Sequence, residues 1–479
     1  MVTKGLKPER VFYYFEELTK IPRCSHDEKR VSDYLKGVAE ELGLEVHQDE
    51  ALNIIIKKPG SKGYENNKRV ILQGHMDMVC EKADDFEIDF TKDPIPLEVR
   101  EDLLIAPYTT LGADNGIAVA MALAILESKD IAHPPLEVIV TTNEESGMTG
   151  AGSINKDLVD GKILINIDSE EEGVILVSCA GGRRVIVKAP IELKDSSKPG
   201  YTLKVSGLLG GHSGMEIDRE RGNSNRILGR VLDSLKEIDF DLYHIDGGSK
   251  SNAIPRLAVA KLGIEDDKLD QAKDIVSKIN KLIKTELQTS DPDLSITLEK
   301  GEDLKEAFTA DLRDKIIAAL ILIPSGVQRM SQDIKGLVES SNNLGVVKTV
   351  EGYVTFESAV RSSNSSLKEF TSNQIETIAG MLGFEFEFYG EYPAWEYKKD
   401  SYIREVFKDA YKELTGEELK VEAIHAGLET GLFNAVLGDI DMVSFGPNMW
   451  GVHAPGENIS ISSVERSYNL LLEVLKKID

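Results

Sequence analysis

The sequence predicts an α/β protein in which a mixed-sheet domain is interrupted by a two-layer α+β insertion. Short apolar runs rich in β-branched residues, at 70–72, 136–142 and 163–167, each lead to an acid or a histidine at their carboxyl end. Such runs suit buried strands of a largely parallel sheet. Between about residues 188 and 390 the pattern changes to two αββαβ units in tandem, which suggests an internal duplication. Alternation of helix and strand returns after Tyr392-Pro393-Ala394-Trp395. The expected division is therefore 1–187, an insertion at 188–390, and 391–479 completing the first domain.

At 479 residues the chain is too long for one ordinary core. Apolar residues at 41% and charged residues at 29% set it apart from disordered chains. The net charge of −26 argues against a nucleic-acid backbone or an anionic membrane as partner. The longest apolar run, 117–126, is about half of what a membrane span needs. Residues 1–10 lack the apolar core of a secretory signal. Cys24, Cys80 and Cys179 make neither a disulfide framework nor a CxxC pair. A reducing cytoplasm is the simplest address.

Taken in order, 9–21 has the period of an amphipathic helix stopped by Pro22. Ser25-His26-Asp27-Glu28 fits a capping box for a helix over 28–42. Strands are expected at 44–47 and 53–58, with a polar loop at 60–67 before the run at Val70. Residues 84–100 are acidic and irregular. Thr110-Leu111-Gly112-Ala113-Asp114-Asn115-Gly116 leads into a small-residue helix, 117–128. Strand 136–142 ends in Asn143-Glu144-Glu145-Ser146-Gly147, and strand 163–167 ends at Asp168. In the insertion, strands at 201–207, 241–247, 256–264 and 294–298 alternate with helices at 218–238 and 269–287. The second set is helix 311–322, strands 344–351 and 353–361, helix 367–382 and strand 384–389. The closing segment reads as helix 401–414, strand 419–424, helix 428–437, strand 441–445 and helix 462–478.

On an extended chain, residues two apart share a side. His75 and Asp77, in Gly74-His75-Met76-Asp77, therefore face one way at the carboxyl end of a buried strand, where α/β sheets hold ligands. Taken singly, each such residue has an ordinary explanation. His75 could be a hydrogen-bonded histidine at a strand end, Asp114 a helix N-cap, and Glu144-Glu145 a solvated loop. Together, His75, Asp114, Glu145, Asp168 and His453 fall in glycine-flanked turns, mostly at strand ends of one sheet. Two histidines and three carboxylates suit zinc or manganese. A carboxylate shared by two cations leaves each with an open position, as two-metal hydrolysis requires, with metals about 3.5–4 Å apart and water between them. One further carboxylate must stay unligated to act as base. Glu144-Glu145 offers one acid for each task.

The motifs around His75, Asp114, Glu144 and Glu145, with Asn166-Ile167-Asp168-Ser169 and Gly451-Val452-His453-Ala454-Pro455, resemble those of the M20 zinc metallopeptidases over essentially the whole chain. His425-Ala426-Gly427-Leu428-Glu429, Val360-Arg361-Ser362-Ser363 and the large insertion bring it nearest to the dipeptidase branch, which acts on Xaa-His and other unblocked dipeptides. The resemblance implies a phosphorylase/hydrolase-like catalytic domain with an inserted lid. It implies that Asp114 bridges two divalent ions, zinc before manganese or cobalt. His75 and Asp168 would complete one site, Glu145 and His453 the other. Glu144 would be general base and then proton donor to the leaving amine, with Asp77 behind the site, steering His75. Asp rather than Glu at position 168 goes with aminopeptidases and dipeptidases.

In the insertion, Gly207-Leu208-Leu209-Gly210-Gly211-His212-Ser213-Gly214 looks like the family's lid motif. Its His212 would stabilise the oxyanion of the scissile carbonyl; a turn histidine is the ordinary alternative. Asn252 and Arg361 are candidates for holding the substrate's carboxylate, a task that suits a bidentate guanidinium. His26, His47, His133 and His244 have no such context, and His425 lies near the site by motif with no assigned role.

Other readings share parts of the pattern. A broader aminopeptidase or tripeptidase, or an N-acyl amino acid deacylase, would use the same chemistry. Asp168 and the large insertion weigh against the deacylase. A metal-dependent binding protein would have no need of Glu144. A dinucleotide site lacks its G-x-G-x-x-G after the first strand. The expected partners are dipeptide substrates. A homodimer and a monomer with a duplicated lid both fit, so His212 could act in its own chain or from a partner subunit.

Overall fold

Continuous apolar strands form the centre of an eight-stranded mixed sheet in the computed structural model, which describes residues 1–479. The strand order is Glu45–Gln48, Ile54–Lys58, Leu136–Thr141, Val70–His75, Ile163–Asn166, Asp441–Ser444, Val174–Cys179 and Lys420–Ile424. The third to sixth of these run parallel. Three of them are buried along their whole length, as strands covered on both faces must be. A shared direction brings their carboxyl ends to one edge, so His75, the turn at 143–145 and Asp168 become neighbours.

The helix Ala113–Glu127 is buried almost throughout. Its alanines leave room to pack against both Val70–His75 and the helix Glu9–Leu18. Arg10 and Glu127 join those two helices by paired hydrogen bonds of 2.6 and 2.9 Å. The helices Tyr402–Thr415 and Ile461–Lys477 pack on each other, and a small sheet pairs Met449–Trp450, Asn458–Ser460, Leu103–Ile105 and Glu98–Arg100 in that order. The chain forms two compact units. The first is Met1–Cys179, Tyr397–Ala423 and Leu428–Asp479; the second is Ala180–Glu396 and Ile424–Gly427.

The second unit is a nine-stranded antiparallel sheet that shares one large apolar core with four helices, and a small separate cluster joins Ile217, Ile254 and Val338. Its path is Ser295–Lys300, Gly200–Ser206, Ala258–Ile264, Phe240–Gly247, Val338–Val350, Tyr353–Ser362, Gly181–Pro190 and Glu385–Tyr392, with Gly326–Met330 paired off it to Val338–Val350. Outward from the central pair, the two halves use their strands in the same chain order: second, third, first, fourth.

Several local expectations differ from the structure. The division falls at Cys179 and Ala180, not at 187, because the strand Gly181–Pro190 pairs within the second sheet. The short segment Ile424–Gly427 also belongs to the second unit. The first helix stops at Leu18. No capping box forms at Ser25 and Glu28: the serine hydroxyl donates to Asp77, and the glutamate accepts the Asn143 N–H. The helix expected from 218 starts at Ser224, where the Asn223 side chain caps two amides.

The cysteine expectation is corrected as well: Cys24 and Cys80 form a disulfide and Cys179 alone is free. Cysteine usage therefore gives no argument for a reducing compartment. The bond closes a loop across a separation of 56 residues. Its reduction is expected to lower stability by about 2–4 kcal/mol. Denaturant unfolding with and without reductant checks this, and identical midpoints would refute it.

Candidate metal centre

The strand end at His75 supplies the first of five converging candidate ligand groups. His75 Nε2 lies 3.1 Å from Asp114 Oδ1 and 3.5 Å from Asp168 Oδ1. His453 Nε2 lies 3.2 Å from Asp114 Oδ2 and 2.9 Å from Glu145 Oε2. The two oxygens of Asp114 thus face different histidines. Donor atoms of His75, Asp114 and Asp168 lie within 4.8 Å of one another, as do those of Asp114, Glu145 and His453. A third group, His75, Glu144 and Glu145, meets the same criterion.

This donor set fits two divalent cations. The carboxylates sit close together in a buried place, with the buried Arg23 guanidinium acting on Asp114 and Glu145. Burial pushes Asp168 up to about 6, with Asp114 and Glu145 adding to the rise against His75. Burial also raises Glu144 well above the carboxylate range. Hydrogen bonds to Asp114 and Glu145 carry His453 up to about 10. Burial opposes ionisation of Asp114 too, yet hydrogen bonds from His453 and His75 hold its carboxyl well below the usual range, the effect that positive charge has on gathered acids.

The sequence profile of peptidase family M20/M25/M40 matches residues 71–477. The chain belongs to this family. It is 38% identical to the cytosol non-specific dipeptidase of Escherichia coli (strain K12) over 478 residues, 99% of this chain and 98% of that one. The crystal structure of aminoacylhistidine dipeptidase from Vibrio alginolyticus matches with a TM-score of 0.96 at 37% identity, over 100% of this chain and 98% of that one. Aminopeptidase PepT from Bacillus cereus ATCC 10987 shares the fold, with a TM-score of 0.57 at 16% identity over 98% of each chain. No helix of this M20 peptidase is long and apolar enough to cross a membrane.

Around the ligands lies a shell of buried polar residues. Asp77 Oδ1 lies 3.3 Å from His75 Nδ1, and the two Asp77 oxygens accept the Glu144 and Glu145 N–H groups at 3.1 and 3.3 Å. The Asp77 carbonyl lies nearer still, 3.1 Å from His75 Nδ1, so Asp77 orients the histidine through backbone and side chain and holds the acidic turn as well. Asn115 accepts the His75 N–H and donates to the Ile167 carbonyl at 2.6 Å, stitching two strand ends to the Asp114 turn. Gly74 leaves the room: a Cβ there would lie 2.4 Å from Asn115 Oδ1. His453 and Asn143 both hold positive φ, a region that histidine and asparagine enter more readily than most non-glycine residues.

Three supporting residues went unread in the sequence. Glu457, on the His453 loop, accepts N–H groups from Leu111, Gly112, Ala113 and Asp114 at 2.6–3.4 Å. It caps the helix start that Asp114 could otherwise have capped, which frees the Asp114 side chain. Arg23 is fully buried and donates to the carbonyls of Met76, Asp77 and Gly112. Burial lowers it to about 10, which leaves it charged. Glu429 is also wholly buried, and burial pushes its carboxyl up to about 8. Glu429 lies inside a motif noted above and Glu457 two residues past the His453 motif; nothing around Arg23 signals its role.

The remaining candidates belong to the second unit and meet there around Gly214. A Cβ on Gly214 would lie 2.6 Å from the His425 carbonyl, 3.1 Å from His212 Cε1 and 3.3 Å from Arg361 Nε. His212 Nδ1 accepts the N–H groups of Gly214 and Met215 at 3.3 and 3.0 Å. Its proton therefore sits on Nε2. Burial, then Arg361, lowers its pKa, so the ring is neutral. Arg361 Nη1 donates to the Tyr392 hydroxyl at 2.8 Å. The Asn252 carbonyl accepts the Ser213 N–H at 2.9 Å, which sets Asn252 beside the same loop. His425 is buried, within 2.7 Å of Ser341 Oγ, and burial takes it down to about 3.

Proposed function

We propose that this M20 peptidase hydrolyses the peptide bond of unblocked dipeptides, Xaa-His among them, at a two-metal centre of His75, Asp114, Glu145, Asp168 and His453. The observation that carries the reading is the Asp114 carboxylate, with one oxygen toward His75 and the other toward His453. Zinc is the favoured ion; manganese and cobalt suit the same donors. Ions bound there supply Lewis-acid polarisation of the carbonyl and acidify a water. Glu144 would take a proton at its carboxylate from the water whose oxygen bonds to the carbonyl carbon, and return it to the amine nitrogen as the C–N bond breaks. Asp77 keeps His75 and the acidic turn in place. His212 donates from Nε2 to the developing oxyanion. Arg361, with Asn252, holds the substrate's free carboxylate.

In this reading the second unit is a lid whose closure delivers those last three residues, and its matched halves arose by duplication. The names of two full-length relatives, a non-specific dipeptidase and an aminoacylhistidine dipeptidase, support the substrate class. The first name also favours a cytoplasmic address.

Rates on Ala-His, its C-terminal amide, a tripeptide and a hexapeptide test the reading. The free dipeptide should be cleaved best. Arg361→Ala should narrow the gap between dipeptide and amide by about 10–100-fold, the worth of a hydrogen bond to a charged group. Equal cleavage of dipeptide and hexapeptide would overturn the carboxylate anchor and leave the metal chemistry standing. Failure of the metal-loaded protein on every peptide would overturn the whole reading.

A further inference from the structure

We propose that Glu429 is a positioning residue for the metal site formed by His75 and Asp168, a role that rests on the two-metal reading above. Glu429 opens the helix Glu429–Leu437, and its side chain is wholly buried. Its Oε2 accepts from Gln73 Nε2 at 2.6 Å and from Thr141 Oγ1 at 2.7 Å. Gln73 Oε1 in turn accepts from Asn166 Nδ2 at 2.6 Å. The ladder crosses the three central strands just before their carboxyl ends. Gln73 and Asn166 are register partners, each two residues before a proposed ligand. On extended chain that spacing places Gln73 on the side of His75, and Asn166 on the side of Asp168. The ladder is continued by the Ile167 N–H, which donates to the Gln73 carbonyl at 3.0 Å.

A purely structural account fits this arrangement poorly. The other carboxyl oxygen of Glu429, Oε1, is buried with no hydrogen-bond partner. An unpaired buried polar oxygen opposes folding, so the carboxyl is retained for what its other oxygen holds, the Gln73 and Thr141 donors. What the carboxyl adds is a fixed acceptor that locks the Gln73 amide between two strands. Neither hydrogen bond of Glu429 goes to a ligand, so its effect on the metal passes through Gln73 and Asn166, as outer-shell partners act elsewhere.

The test is calorimetric titration of the metal-stripped protein with zinc alone, alongside thermal unfolding of the same stripped protein. The unmodified chain should take up two ions; fewer would overturn the two-metal reading before any variant is made. Glu429→Leu should weaken one ion by about 10–100-fold, the usual effect of losing an outer-shell partner, and leave the other unchanged. In a His453→Ala background, where the His75 and Asp168 site is the one left intact, the same factor should appear. Glu429→Gln keeps an acceptor and should restore the affinity. Should Glu429→Leu fail to fold, Gln73→Met breaks the same ladder and should weaken the same ion. A lower melting temperature with both affinities unchanged would overturn the proposal. So would equal weakening by Leu and Gln.

Discussion

Glu144→Gln is expected to lower kcat by about 10²–10⁴-fold, the usual worth of a general base, while two divalent ions stay bound. The prediction comes from where Glu144 stands in the cluster. Its carboxyl lies within ligand range of His75 and Glu145, yet the two groups that share Asp114 are complete without it. Its backbone is pinned by Asp77, so the side chain is free to act while the turn stays fixed. Burial pushes its carboxyl well up, Asp168, Glu429 and Glu145 add to the rise, and His75 opposes it. Positive charge nearby draws such a value down again and restores a carboxylate that can take a proton. The acidic limb of the rate profile should therefore report this group, and should vanish in the variant. Elemental analysis and a pH series check both halves. Residual activity within about tenfold of the unmodified enzyme would be too high for a general base.

The fold was legible wherever the signal was local. The central strands are continuous apolar runs because both of their faces are covered, and their ends were placed within a residue or two. Three of the proposed ligands, His75, Glu145 and Asp168, stand at or just past those ends, so the position of a strand announced the position of an acid or histidine. The insertion was legible as sheet and helix, but its boundary was not. Arg183 and Arg184 break the apolar look of Gly181–Pro190, though Arg183 is buried in ion pairs with Glu369 and Glu391. Val338–Val350 was half missed for a similar reason. Its Asn343 is buried and donates to the carbonyls of Ser251 and Ala253, a distant partnership that periodicity cannot register.

Long-range polar contacts also explain what was misread near the site. Ser25 and Glu28 have the spacing of a capping box, but Asp77 and the turn at Asn143 claim both side chains. Glu457 reaches backbone groups 343–346 residues earlier in the chain. No pattern within one segment specifies such a pairing. The residues that touch the proposed ions could be found from strand ends and glycines; those that hold them in place required the fold.

Asp114→Ala is expected to abolish both metal binding and turnover, an effect larger than that of any other ligand. The reason is the geometry of one carboxylate. Oδ1 lies 3.1 Å from His75 Nε2 and Oδ2 lies 3.2 Å from His453 Nε2, so removing the side chain strips both three-residue groups of a member. His453→Ala removes a member from one group alone, and should spare the ion held by His75 and Asp168. The turn itself should survive in either variant, because Glu457 and Asn115 hold it through backbone groups and side chains other than that of Asp114. Loss of affinity should exceed the roughly 10–100-fold typical of an outer-shell substitution at both sites. Zinc titration of the stripped proteins, with circular dichroism to show an unchanged fold, separates the cases. Full occupancy in Asp114→Ala would refute a shared ligand. Loss of one ion only would make Asp114 a terminal ligand of that ion, and the second metal would then need a different bridge.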